Sequence, residues 1–136
     1  MSLYVAYGSN LNMKQMSIRC PTATVVGSVT LKGYRLAFCG VATVFPCEES
    51  EVPIAVWEID EECERALDRY EGYPRLYRKE TVKAEVDGVT LDAMIYIMNR
   101  SRLYPPASGY YRTIEQGYED FGLDVACLER ARAEAD

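Results

Sequence analysis

Leu3-Tyr4-Val5-Ala6-Tyr7-Gly8-Ser9-Asn10-Leu11 decides how this chain is built. Leu3 to Tyr7 is a short apolar run and reads as a strand. Gly8-Ser9-Asn10 ends it as a turn cluster. Asn12 then caps a helix over residues 13–20, with Met13, Met16 and Cys20 toward one side, and Pro21 stops it. A strand that meets a glycine turn and then a helix is a natural cradle for an anion. Glycine permits φ > 0 and lets a ligand approach the backbone, while free N–H groups and the helix start favour a carboxylate or an oxyanion. The plain alternative is a capped turn that holds nothing.

Working outward, residues 23–45 are rich in Val, Thr, Leu and Phe and punctuated by Gly27, Gly33 and Gly40; they read as two or three strands. Residues 47–51 read as an acidic loop, and 53–59 as a strand buried on both faces. Asp60 is an N-cap, and Cys63, Ala66, Leu67 and Tyr70 recur at helical spacing. Gly72 and Pro74 end that helix. Residues 76–86 and 89–98 are long strands joined by Asp87-Gly88, a two-residue hairpin signal. Tyr111, Ile114, Tyr118 and Phe121 mark a further helix, Gly122 caps it, and Asp124 opens a last helix expected to be exposed. Strands outnumber helices without alternating strictly with them. The expected class is α+β (mixed α/β), a curved, barrel-like, mostly antiparallel sheet flanked by helices. A chain of 136 residues without a linker or repeat reads as one domain, residues 1–136.

Composition excludes several chemistries. The chain contains no histidine. A Ser-His-Asp triad, a Cys-His pair, a haem with a proximal histidine and a His-based zinc site are therefore out of reach. Acid/base work falls to Glu, Asp, Tyr, Lys or Cys. The net charge of −6 argues against nucleic acid or an anionic membrane as a partner. Arg75, Arg78 and Lys79 alternate with apolar residues and read as one solvated strand face. The five cysteines are odd in number, scattered and without a C-x-x-C pair, so they read as reduced thiols of a cytoplasmic protein. The N-terminus lacks the charge and long apolar run of a signal peptide, and no apolar stretch suits a transmembrane helix. Dinucleotide and phosphate-loop fingerprints are absent.

Glu71 is the residue that stands out. It lies in the last turn of its helix, beside the apolar stripe, where both partial burial and the helix dipole raise a carboxylate's pKa. A carboxylate raised in this way suits proton transfer near neutral pH in a histidine-free protein. The alternative is a glutamate pointing outward or paired with Arg75. Tyrosine richness is the other signal: 11 Tyr stand against 3 Phe and 1 Trp. Each Tyr offers an apolar body and a hydroxyl that can orient a polar ligand.

These pieces, in this order, resemble the γ-glutamylcyclotransferase-like superfamily. Tyr4 through Leu11 resembles its substrate-binding loop, and Gly40-Val41-Ala42-Thr43-Val44 an internal strand after a glycine. Leu67-Asp68-Arg69-Tyr70-Glu71-Gly72 resembles the segment with the catalytic glutamate. Residues 105–108, Tyr111-Arg112-Thr113-Ile114 and 117–123 resemble its C-terminal helix signature. The resemblance implies a cofactor-free, metal-free reaction on a small-molecule γ-glutamyl substrate. The substrate's α-amine attacks its own γ-carbonyl, 5-oxoproline forms and the attached amine departs. It implies Glu71 as general acid/base and Tyr7, Gly8, Ser9, Asn10, Leu11, Tyr77 and Tyr111 as substrate-binding residues, with Tyr111 preferred over Tyr110. The leaving group is left open among an α-amino acid, a γ-glutamyl amine, an isopeptide lysine and a larger acylated product. The oligomeric state is also open, with a homodimer one option. The competing functional readings are a non-catalytic module of the same fold that binds a small acidic metabolite, and a purely structural protein.

Overall fold

The computed structural model describes residues 1–136. A five-stranded sheet is ordered β2-β3-β1-β5-β4. Its middle strand, β1 (Ser2–Ala6), pairs antiparallel with β3 (Val41–Ile59) and parallel with β5 (Val89–Met98). The pairs of β2 (Thr24–Cys39) with β3 and of β4 (Tyr77–Val86) with β5 are antiparallel. The sheet is mostly antiparallel and curved, and it stays open rather than closing into a barrel. Its two edges nevertheless approach one another: a Cβ on Gly27 of β2 would lie 3.0 Å from Val86 of β4.

Four helices complete the molecule: α1 (Met13–Arg19), α2 (Glu61–Glu71), α3 (Ser108–Asp120) and α4 (Ala126–Ala135). The caps follow the sequence. Asn12 accepts from the Gln15 amide at 3.0 Å, and Asp60 accepts from the Cys63 amide at 2.8 Å. Such caps are each worth about 1 kcal/mol. Asp87 and Gly88 both take positive φ, 51° and 78°, the geometry that a two-residue hairpin with right-handed strand twist requires.

Three expectations are corrected. The acidic stretch 47–51 falls within β3 rather than between two strands, as a bulge: Glu51 pairs with Lys32 and Pro46 with Tyr34, while residues 47–50 have no partner on β2. The β2–β3 register slips there, opposite Gly33, whose φ of +86° lets the long hairpin bend without ending. The last helix is not wholly exposed, because Leu128, Ala131 and Ala135 form a buried apolar stripe on the helix that packs against β2. Third, the cysteines are not all free thiols. Cys20 and Cys63 form a disulfide across 43 residues, with Cα atoms 5.0 Å apart, while Cys39, Cys47 and Cys127 are free. The spacing along the chain conceals this pair, because the fold alone brings the end of α1 to the start of α2. No helix is long and apolar enough to cross a membrane.

Candidate active site

The chain leaves the centre of the sheet at Tyr7 and enters a 3₁₀ turn, Ser9–Leu11, before α1. Tyr7 is buried and donates its hydroxyl to the Tyr96 carbonyl of β5 at 2.6 Å, which pins the exit of β1. Gly8 does not need a positive φ; its φ is −125°. It is needed for space, since a Cβ there would lie 3.2 Å from the Ala42 Cβ. Asn10 is engaged at both ends. Its amide nitrogen donates to the Tyr4 hydroxyl at 2.9 Å, and its oxygen accepts from the Arg19 guanidinium. Leu11 is fully buried against α3 at Gly117. The loop is therefore held from above by α3 and from below by β1.

Helix α2 brings the carboxylate. Leu67 anchors it in the core, and Gly72, in the left-handed conformation at φ 65°, ends it directly after Glu71. Its flank is tied to the sheet through Asp68, which accepts from the Tyr96 hydroxyl at 2.6 Å and from Lys79 of β4. Lys79 also donates to Glu64 at 2.6 Å. Lys79 is thus half-buried and paired; of the basic run only Arg78 behaves as a solvated strand residue. These ties fix where the last turn of α2 sits.

Glu71 lies in the wall of a cavity of about 200 Å³ bounded by the 8–10 loop, the end of α2, β4, the start of β3 and the start of α3. It makes no ion pair, with Arg75 or any other cation. Burial pushes its carboxyl up to about 7, and the charge of Arg19 opposes that rise. The cause that dominates is desolvation of the carboxylate.

The tyrosine hydroxyls around the cavity divide into two kinds. Tyr7 donates to the Tyr96 carbonyl and Tyr77 donates to the Ala42 carbonyl, each at 2.6 Å, so their oxygens remain available as acceptors. Tyr4 accepts from Asn10, and Tyr110 accepts from the Ala42 amide at 2.9 Å, so their O–H protons remain available as donors. Burial raises the pKa of all four, which keeps them protonated. The cavity can therefore offer hydrogen-bond donors and acceptors together with one carboxyl poised near neutrality.

The structure gathers Tyr7, Gly8, Ser9, Asn10, Glu71 and Tyr77 around this cavity. It does not bring in Leu11, which lies beneath the loop, or Tyr111. Tyr111 packs against Phe38, with ring centroids 5.9 Å apart, and carries Arg132 over its other side at 4.4 Å. The preference for Tyr111 is thus corrected: Tyr110 is the helix tyrosine at the cavity. Helical phase carries this signal, since Tyr111 shares the buried stripe of Ile114 and Tyr118 while Tyr110 lies about 100° around from it. Tyr4, Tyr70 and Tyr96 also line the cavity; Tyr4 and Tyr70 lie in segments that carry the resemblance without being singled out there, and nothing in the local sequence marks Tyr96.

Known proteins share the sequence pattern and the fold. The profile of the family described as "Gamma-glutamyl cyclotransferase, AIG2-like" matches residues 4–117. A human protein named gamma-glutamylcyclotransferase is 29% identical over 145 residues, covering 96% of this chain and 77% of the relative. Its mouse counterpart is 28% identical with the same coverage. A solved structure named gamma-glutamyl cyclotransferase superposes with a TM-score of 0.85 at 27% identity, covering 97% of this chain and 86% of that one. The Bacillus subtilis protein YkqA shares the fold alone, with a TM-score of 0.79 at 22% identity over 98% of this chain and 54% of that one. The chain belongs to the gamma-glutamyl cyclotransferase, AIG2-like family.

Proposed function

We propose that the protein is a cyclotransferase that cleaves a γ-glutamyl amide or amine and releases 5-oxoproline with a free amine or amino acid. The observation that carries this reading is Glu71: a carboxyl raised to about 7, free of ion pairs, in the wall of a cavity beside the Gly8–Asn10 loop. Relatives named gamma-glutamylcyclotransferase support the class of reaction.

The chemistry asks little of the protein. The substrate's α-nitrogen forms a bond to its own γ-carbonyl carbon, and the bond from that carbon to the departing nitrogen breaks. Because the attack is intramolecular, holding the substrate folded supplies much of the rate. Two protons leave the attacking nitrogen and two reach the departing amine. Glu71 takes them from the first and delivers them to the second, and ends as it began. A proton carrier placed in this way contributes about 10²–10⁴-fold. The acceptor oxygens of Tyr7 and Tyr77 suit the α-ammonium group. The donor hydroxyls of Tyr4 and Tyr110, with the loop backbone, suit the carboxylate and the oxyanion.

The test is release of 5-oxoproline from a panel of γ-glutamyl amino acids, amines and isopeptide lysines by wild type and Glu71→Gln. Turnover by wild type with a loss of at least a hundredfold in the variant is the expected result. An undiminished variant, or a panel that raises the melting temperature without being consumed, overturns the reading; the latter result marks a metabolite-binding module.

A further inference from the structure

The geometry points to Arg19 as a positioning residue: it clasps the Gly8–Leu11 loop to the helix that carries Glu71 and so sets the two halves of the site against each other. The inference rests on the cyclotransferase reading for its catalytic meaning, and on geometry for the clasp itself. Arg19 is the last residue of α1 and is half-buried. One guanidinium nitrogen donates to the Asn10 side chain, in the loop. The guanidinium carbon lies 3.4 Å from the centroid of the Tyr70 ring, on α2 immediately before Glu71. The Tyr70 hydroxyl then bonds Ser9 Oγ at 2.9 Å, back in the loop. Loop, arginine, tyrosine and loop make a closed circuit. The neighbouring residue, Cys20, joins the same end of α1 to Cys63 in the first turn of α2. Both ends of α2 are thus tied to the segment 9–20.

Only arginine can make this circuit. A planar guanidinium stacks on a ring and directs an in-plane N–H at an amide oxygen; an ammonium cannot do both. Arg19 also supplies the one formal charge acting on Glu71. The other groups facing Glu71 are tyrosines: Tyr4 of β1, Tyr7 beyond its end, Tyr77 of β4 and Tyr110 of α3. Tyr70 lies beside it on α2. Asp68 and Lys79 neutralise each other on the sheet side of that helix.

Two variants separate shape from charge. Arg19→Lys keeps the cation and loses the stack and the directed hydrogen bond. Arg19→Gln loses both. Three readouts apply: kcat and KM, hydrogen exchange at the amides of residues 9–11, and the titration of Glu71 in protein labelled with ¹³C at glutamate carboxyls, its signal assigned by its absence in Glu71→Gln. In both variants, exchange at 9–11 accelerates and kcat falls on the order of ten- to a hundredfold, the range for a misplacement of about 1 Å. In Arg19→Gln alone, the Glu71 titration and the acidic limb of kcat/KM both move to higher pH. Unchanged exchange and kcat in Arg19→Lys, or an unmoved Glu71 titration in Arg19→Gln, overturns the clasp. If wild type consumes no γ-glutamyl compound, the cyclotransferase reading falls by itself. The exchange and titration data still decide the clasp.

Discussion

Gly117→Ala is the substitution that most directly tests how the site is held. A Cβ at this position of α3 would lie 2.6 Å from both the carbonyl carbon and the Cβ of Leu11, and 2.7 Å from the Asn12 nitrogen. Carbon atoms rest at about 3.5–4.0 Å, so helix and loop must part by roughly 1 Å. Two of the three atoms are backbone, and no rotamer change can relieve them. Overpacking of this kind destabilises by about 1–3 kcal/mol, occasionally more, and the better helix propensity of alanine returns about 1. A net loss of up to about 2 kcal/mol is expected, which lowers the melting temperature by up to roughly 10 °C. The displaced segment is the 3₁₀ turn beside Glu71. Activity should therefore fall further than stability does, on the order of tenfold or more at a temperature where the variant is fully folded. Calorimetry and 5-oxoproline release on the same preparation measure the two effects. Gly109→Ala is the control: it lies on the same helix with nothing within 4 Å of its Cβ, and should cost neither. A Gly117→Ala protein as stable and as active as wild type would refute the reasoning.

Four further tests follow from the same contacts. Tyr110→Phe removes a hydroxyl from the cavity and leaves the buried Ala42 amide without its partner, so both kcat/KM and stability should drop, the latter by about 1–3 kcal/mol. Tyr111→Phe should leave kcat/KM within about twofold, because its ring packs outside the cavity; steady-state kinetics on the two variants reads this reversal. Reducing the Cys20–Cys63 disulfide releases a loop of 43 residues, for which the chain-entropy account gives up to about 4 kcal/mol. Thermal melts with and without dithiothreitol should show a lower transition in the reductant, and Cys63→Ala should abolish the difference. Finally, Glu71 is a carboxyl raised from 4.5 to about 7 on folding. A raised carboxyl stabilises the fold, relative to its ionised form, at low pH, and that stability is lost as pH rises through about 7. Glu71→Gln should accordingly gain stability over wild type at pH 9 but not at pH 4, by at most about 3 kcal/mol at full burial and less in a hydrated cavity; urea titrations at the two pH values provide the comparison.

The elements were legible in the sequence wherever a local rule was decisive. Asn12 and Asp60 cap their helices as side-chain chemistry dictates, and Asp87-Gly88 turns its hairpin because both positions need positive φ. Glu71 was legible from its place between an apolar stripe and a glycine cap. What failed were features settled by contacts distant in sequence. The stretch 47–51 has the composition of a loop, and residues 47–50 do bulge out of register, but Pro46 and Glu51 on either side pair with Tyr34 and Lys32 of β2 and keep it within one strand. Cys20 and Cys63 have no meaningful spacing until α1 meets α2. Gly117 looks like a weak helix residue and is in fact the contact surface for Leu11. Tyr96 joins the cavity from β5, beside Tyr4 of the adjacent β1, and no local pattern identifies it.

In the proposed reaction, Glu71 would give a histidine-free chain its proton carrier near neutrality. The unfavourable end of a helix dipole is one route, but its effect decays within a turn and is worth at most about 2 kcal/mol. Desolvation dominates instead. Desolvation raises a carboxyl only if nearby donors do not stabilise the anion, and a cavity lined by tyrosines would ordinarily supply such donors. Here Tyr7 and Tyr77 direct their protons at backbone carbonyls, and the Asn10 amide is turned toward Tyr4. Those bonds satisfy buried backbone groups of the sheet and turn the protons of Tyr7 and Tyr77 away from Glu71, while those of Tyr4 and Tyr110 stay available to a ligand. The only charge left to oppose the rise is Arg19, which is held to the loop and to the Tyr70 ring. Restoring a donor to Glu71 would lower its pKa and make it a weaker base. Burial in the cavity therefore sets the direction of the shift, and Arg19 limits it.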